Sequence, residues 1–139
     1  MRVRKSTEED VPAILAVLGA NRGDSSLFQQ PESQVRKTLG DFFVAVAAEE
    51  KVVGCAALHW HRDDNAEILA VAVAPDAHGS GIGNALMKAC VAEAVERSAP
   101  PTLWLATAKP AYFARFGFSP MSRFRLPPSV LWTKFLLIF

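Results

Sequence analysis

Between Val73 and Leu86 the chain reads Val-Ala-Pro-Asp-Ala-His-Gly-Ser-Gly-Ile-Gly-Asn-Ala-Leu, with Gly79, Gly81 and Gly83 spaced two apart. Glycine lets a chain turn tightly and lets backbone N–H groups approach a ligand with no Cβ between them. Where such a loop opens a helix, the unpaired N–H groups of the first turn and the positive end of the helix dipole form an anion site. Gly79, Ser80, Gly81, Ile82, Gly83 and Asn84 are therefore candidates for holding a pyrophosphate. Two familiar phosphate loops fail on spacing. A Walker A loop needs a glycine five residues after its first, followed by Lys, and Asn84 stands there instead. A dinucleotide fingerprint accepts Gly79 and Gly81 but again finds Asn84 at its third glycine, and it belongs at the first strand-to-helix turn of the fold.

A second chemical candidate is Glu67, a lone carboxylate in the apolar run Ala66 to Val73. Such a group can take a proton from an ammonium; the bland alternative is a strand-end glutamate facing solvent or pairing with Arg62. His59 and His61 alternate on a strand end. No cysteine or third histidine joins them at ligand spacing, so no metal site is expected. Nothing resembles a Ser/His/Asp triad. Trp104 and the pair Phe42-Phe43 read as core. Cys55 and Cys90, far apart in apolar stretches, read as buried thiols rather than a disulfide.

The elements that must position these residues follow from periodicity and punctuation. A short strand over Arg2 to Lys5 leads to a helix with Ser6 or Thr7 as N-cap, Glu9 or Asp10 completing a capping box, and Pro12 in its first turn. Val11, Ile14, Leu15 and Leu18 give that helix one buried face. A second short helix starts at Pro31-Glu32-Ser33 and ends near Gly40. Phe42 to Ala48 and Val52 to Trp60 form a hairpin, and Ala66 to Val73 is a third strand. The glycine loop opens a helix with apolar positions Ile82, Leu86, Ala89, Cys90 and Ala94. Pro100 and Pro101 end it before a strand from Thr102 to Ala106. Ala111 to Phe116 is a short helix stopped by Gly117. Arg123 to Leu126 and Leu131 to Phe139 read as closing strands, the last expected either to be truncated at Phe139 or to pair elsewhere. The order is β-α-α-β-β-β-α-β-α-β-β: one α/β (α+β) domain over 1–139, with a mixed sheet and helices on its faces.

Half of the residues are hydrophobic and 21% are charged, as in ordinary globular proteins, and the net charge is +1. That balance gives no reason to expect nucleic acid or a membrane surface. The first ten residues contain no apolar signal region, and no apolar run approaches the ~18 residues of a membrane span; a cytoplasmic protein is expected. All fourteen acidic residues lie at or before Glu96, whereas Ser98 to Phe139 carries Lys109, Arg115, Arg123, Arg125 and Lys134 and no acid. Arg123 and Arg125, two apart on a predicted strand, share one face and can grip a carboxylate.

The segment Val73 to Leu86 resembles motif A of the GNAT acetyltransferase superfamily, with Val73, Gly81 and Gly83 at its hallmark positions and His78 where the family usually has Arg or Gln. Ala111-Tyr112-Phe113-Ala114-Arg115-Phe116-Gly117-Phe118 resembles the family's motif B, nearest to the N-acetylglutamate synthase-like, amino-acid branch. The resemblance implies a mostly antiparallel GNAT sheet in which the strand ending at Val73 and the strand from Thr102 splay apart to admit acetyl-CoA. It implies that backbone groups of Ala72, Val73 and Ala74 pair with the pantetheine arm, that His78 and the 79–84 loop hold the pyrophosphate, and that Phe113 lines the cofactor. A backbone N–H near Val71 to Val73 would steady the oxyanion. Glu67 falls where one branch carries its general base. The tyrosine that many relatives use as general acid is replaced by Phe113, leaving Tyr112, one place earlier, as the candidate acid. The implied activity is acetyl transfer from acetyl-CoA to a primary amine of a small molecule, with an amino acid as candidate acceptor, by a monomer or homodimer without metal. The alternatives are an acetyl-CoA-binding module without turnover, for which His78 and Phe113 speak, and a peptide or protein acceptor.

Overall fold

Apolar alternation and helical periodicity place the chain in a seven-stranded sheet of order β1-β2-β3-β4-β5-β7-β6. The computed structural model describes residues 1–21, 31–98, 102–107, 109–120 and 135–138. The strands are β1 (Arg2–Lys5), β2 (Phe42–Val46), β3 (Val52–Arg62), β4 (Asn65–Val73), β5 (Thr102–Thr107), β6 (Ser119–Pro120) and β7 (Phe135–Ile138). The helices are α1 (Val11–Ala20), α2 (Glu32–Lys37), α3 (Ile82–Arg97) and α4 (Pro110–Ala114). The element order agrees with the sequence reading. The penultimate strand differs: it is the two-residue β6, and Arg123 to Leu126, where a strand was expected, lies outside the described residues. Every neighbouring pair is antiparallel except β4 and β5, which run parallel.

The entry to α1 is built by Asp10. Its carboxylate accepts the Thr7 N–H at 2.7 Å and two N–H groups of Arg4 at 2.7 and 3.1 Å. The Arg4 guanidinium, and next the Thr7 N–H, hold this buried carboxyl below the ordinary aspartate range. Between the two expected partners for the cap, Asp10 is the one that reaches back.

Two cores sandwich the sheet. On one face Val11, Ile14, Val17 and Leu18 of α1 and Val35 of α2 pack on Phe42, Val44, Cys55 and Ala57. On the other, Ile82, Leu86, Met87, Cys90 and Ala94 of α3 pack on Ala56, Leu58, Ile68, Leu103 and Leu105, with Phe113 of α4 at the margin. Met87 is fully buried where the sequence pattern favoured Ala89, which is only half-buried. Gly54 brings α3 onto the sheet: a Cβ there would lie 3.0 Å from side-chain atoms of both Ile82 and Leu86. Truncating Leu86 to Ala at this contact costs about 2–5 kcal/mol by loss of buried surface and creation of a cavity. Cys55 and Cys90 are buried and free, one in each core.

One irregularity in β4 sets up the site. Cys55 pairs with Ala72 but Ala57 pairs with Leu69, so Ala70 and Val71 together oppose Ala56. Ala70 takes a left-handed φ of 54° to accommodate the extra residue. The bulge flips the alternation. Before it Ala66 and Ile68 face α3; after it Val71 and Val73 do, while Ala70 and Ala72 face α1. Pairing between β4 and β5 covers only Asn65–Thr102, Ala66–Leu103 and Glu67–Trp104. Beyond Glu67 the two strands part.

Candidate active site

A cleft of about 480 Å³ opens where β4 and β5 separate. Its walls are the β4 residues Val71, Ala72 and Val73, the loop residues Ala77 to Gly79, the opening of α3 from Gly81 to Asn84, and Lys109, Tyr112, Phe113 and Arg115 around α4, with Asn21 at the end of α1. Of the residues expected to hold a cofactor, Ala72, Val73, His78, Gly79, Gly81, Ile82, Gly83, Asn84 and Phe113 are brought together on this one hollow, and Ala74 and Ser80 are not among its lining residues.

The phosphate-binding geometry comes from the loop. Gly79 and Gly81 sit at φ of 83° and 80°, backbone that L side chains rarely adopt. Neither has a heavy atom within 4 Å of an added Cβ, so the space before them is open. Gly81 is the N-cap of α3 and supplies no capping side chain. The first N–H to close a helical bond is that of Ala85, donated to the Gly81 carbonyl at 3.1 Å, which leaves those of Ile82, Gly83 and Asn84 at the open helix end. Ser80 turns away from this role: its hydroxyl donates to the Ala77 carbonyl within the loop.

The strand edge is more occupied than the resemblance implied. Ala74 N–H donates to the Val53 carbonyl at 2.7 Å, towards β3. Backbone groups alternate between the two edges of a strand, so the groups of Val73 and Val71 lie on the opposite edge, towards the gap, and those of Ala72 do not. The Val73 carbonyl receives two donors of its own, Asn21 Nδ2 at 3.1 Å and His78 Nε2 at 2.9 Å. His78 therefore carries its proton on Nε2, because a carbonyl only accepts, and its ring ties the loop to the strand end. Of the backbone groups expected to meet a pantetheine arm at Ala72 to Ala74, the N–H of Val73 lies on the edge towards the gap, whereas the Ala74 N–H and the Val73 carbonyl are already paired. The sequence carried no sign of Asn21, whose Nδ2 also reaches the Val17 carbonyl at 2.8 Å. A polar residue just past an apolar helix reads as an ordinary loop start.

Tyr112 stands at the α3 end of the cleft. A Cβ on residue 83 would lie 2.5 Å from its hydroxyl oxygen. Its ring packs edge-on against Phe113 at 4.9 Å and beneath the Arg115 guanidinium at 4.7 Å. Phe113 is buried against the α3-side core. The candidate acid is in the cleft, but its hydroxyl rests on the first turn of α3.

Glu67 lies at the closed end of the fork, on the α1 and α2 face of the sheet. The one carboxylate of its strand, it does not pair with Arg62; His61 Nε2 stands 3.0 Å from its Oε1. Trp104, expected in the core, instead half-covers this face. It stacks on His61 at 5.4 Å and donates Nε1–H to Asn65 Oδ1 at 2.8 Å. Arg123 and Arg125 lie outside the described residues. Among the described residues no group of three His, Cys, Asp or Glu side chains is placed to hold a metal ion, and no helix is long and apolar enough to cross a membrane.

Comparison with known proteins places the fold in a family. Residues 13–118 match the acetyltransferase (GNAT) family. An amino-acid acetyltransferase of Mycobacterium tuberculosis is 33% identical over 119 residues, 84% of this chain and 67% of that one. Other amino-acid acetyltransferases that match are much longer, the chain spanning 29% of their length. Among solved structures, a Mycobacterium tuberculosis protein in complex with CoA superposes with a TM-score of 0.81 at 29% identity, covering 94% of this chain and 78% of that chain. The N-acetylglutamate synthase of Neisseria gonorrhoeae, complexed with coenzyme A and N-acetyl-glutamate, shares the fold at a TM-score of 0.85 and 22% identity, covering 99% of this chain and 34% of that one.

Proposed function

Because the chain belongs to the acetyltransferase (GNAT) family, we propose that it binds acetyl-CoA in the cleft between β4 and β5 and transfers the acetyl group to the primary amine of an amino acid. The observation that carries this reading is the open first turn of α3, with Gly79 and Gly81 keeping the approach to its N–H groups clear. The pyrophosphate is held there, with Lys109 and Arg115 on the opposite wall adding positive charge. The pantetheine arm follows β4 and pairs with the Val73 N–H, and the Val71 N–H on the same edge steadies the oxyanion as the amine attacks the thioester carbonyl.

Glu67 is assigned as the general base that removes the proton of the acceptor ammonium. Tyr112, with its hydroxyl over Gly83, is assigned to the phosphate end of the ligand, and the departing thiolate takes its proton from solvent. Arg123 and Arg125 are assigned to the acceptor carboxylate. The whole of 1–139 acts as a single acetyltransferase domain. The 33% identity to a protein named amino-acid acetyltransferase supports the choice of acceptor class.

The test is release of free CoA thiol when acetyl-CoA is offered with a panel of glutamate, aspartate, glutamine, neutral amino acids, polyamines and aminoglycosides. Turnover with the carboxylate-bearing amines is expected. Tight acetyl-CoA binding without turnover on any amine would favour a binding module instead, and preference for the polycations would overturn the acceptor class.

A further inference from the structure

A polar cluster lies on the α1 and α2 face of the sheet at the closed end of the fork. His59 and Glu67 are direct cross-strand partners on β3 and β4, and Glu67 and Trp104 are partners on β4 and β5. His61 sits at a register irregularity between Trp60 and Arg62; its ring meets that of His59 on the same face and reaches diagonally to Glu67, its Nε2 3.0 Å from Oε1. The imidazole of His61 is fixed from two sides. Trp104 stacks on it with the rings inclined by only 22°, and His59 meets it edge-on at 4.8 Å. His59 is in turn tied through Nδ1 to Asp41 at 2.7 Å, in the 3-10 turn that precedes β2.

We propose that His61 is a positioning residue for Glu67, its Nε2–H donating to Oε1 so that the second carboxylate oxygen is the one presented to the acceptor ammonium. The inference rests on the assignment of Glu67 as general base. A carboxylate on a two-carbon stem has rotatable bonds, and proton abstraction needs its oxygen within about 2.6–3.2 Å of the nitrogen. One fixed hydrogen bond removes the carboxylate's last free rotation and leaves the other oxygen in a single place. The donor must itself be fixed for this to work. Half-exposed histidines rarely are, but this one has an indole beneath it and a second imidazole, anchored by a carboxylate, at its edge. Asp41, His59, His61 and Glu67 thus form a chain from the α2 side of the sheet to the fork, with Trp104 as its floor.

Two substitutions separate the hydrogen bond from the stack. His61→Phe keeps a flat ring on Trp104 and removes the donor. His61→Gln loses the stack and keeps an N–H donor of similar reach. His61→Phe is expected to lower kcat about tenfold, less than loss of a general base itself, with KM for acetyl-CoA within about twofold and an unchanged far-UV spectrum. His61→Gln is expected to recover most of that loss. In a Glu67→Gln background, His61→Phe is expected to cost nothing further. Wild-type kcat in His61→Phe overturns the proposal, as does a Glu67→Gln/His61→Phe double variant whose two losses multiply, or a His61→Gln that is no better than His61→Phe. If Glu67→Gln alone turns over normally, the assignment of Glu67 falls first, and that result is distinct from a failure confined to His61.

Discussion

The Tyr112 hydroxyl lies 2.5 Å from the point where a β-carbon on residue 83 would stand, so Gly83 and Tyr112 occupy one space between them. The third glycine of the loop is there to admit a tyrosine from α4 as much as to admit a ligand. Gly83→Ala is expected to push Tyr112 aside and weaken CoA binding about tenfold, measured by calorimetry. Tyr112→Ala in the same chain vacates the space, so the double variant should bind better than the sum of the two single losses predicts. Strict additivity would show that the two residues are not coupled in binding.

Glu67→Gln is expected to lower kcat by ~10²-fold or more, about 2.7 kcal/mol of transition-state stabilisation, while leaving the Kd for acetyl-CoA unchanged. The deficit should narrow as the pH is raised, because an acceptor amine that deprotonates in solution no longer needs the carboxylate. A pH-rate comparison of the two proteins checks it, and an equal loss at every pH would point to a structural role.

Lys or Arg groups of the acid-free C-terminal segment should be read out through the acceptor. Arg123→Ala and Arg125→Ala are expected to raise KM for an amino acid about tenfold or more, the loss of a charge-assisted carboxylate contact, and to leave KM for acetyl-CoA nearly unchanged. Steady-state kinetics with both substrates varied separates the two effects.

The Arg4–Asp10 pair predicts a particular acid sensitivity. Arg4, and then Thr7, lower the Asp10 pKa in the folded protein. A depressed carboxyl stabilises the fold above its unfolded value near 4, and this contribution is lost as the pH falls through the folded value. Asp10→Asn should therefore lower stability by about 1–3 kcal/mol at neutral pH, with the difference from wild type narrowing as the pH falls below the unfolded value and through the depressed folded one. Thermal melts of both proteins across that range measure it.

Burial pushes the thiols of Cys55 and Cys90 up to about 12. At pH 8 both are neutral and enclosed, so a disulfide reagent that reacts with thiolates should find neither in the native protein and both after denaturation. Rapid labelling of the folded protein would show that one of the two cores opens.

Much of the fold is legible in the sequence, and for a physical reason. The glycine loop, the apolar stripe of α1 and the apolar run of β4 are local patterns, and each element they predict is present in order. What escaped depends on pairs distant in sequence. Glu67 reads as a lone carboxylate because His61 reaches it only once the turn at residues 62–65 folds β3 back on β4. Trp104 reads as core because nothing in its own strand shows a histidine stacked on it. The bulge at Ala70 is invisible because alanine has no special preference for φ of 54°; the register of β3 imposes it. Asn21 announces nothing by itself and His78 reads as a phosphate contact, because the target they share is a main-chain carbonyl distant from Asn21 in sequence.

That carbonyl belongs to Val73, and three segments converge on its single oxygen: the end of α1 through Asn21, the glycine loop through His78, and β4 itself. Where a cleft must order a loop when its ligand arrives, the lost freedom is subtracted from affinity. Here the loop and the helix end are moored to the strand beforehand, by side chains that need not be surrendered for the strand's N–H to meet a guest. Entry into such a cleft is closer to docking on a preorganised surface than to induced folding, which favours fast association and a small entropic penalty. It also makes a residue at the tip of α1, remote from the reacting atoms in sequence, a determinant of how rigid the far wall is.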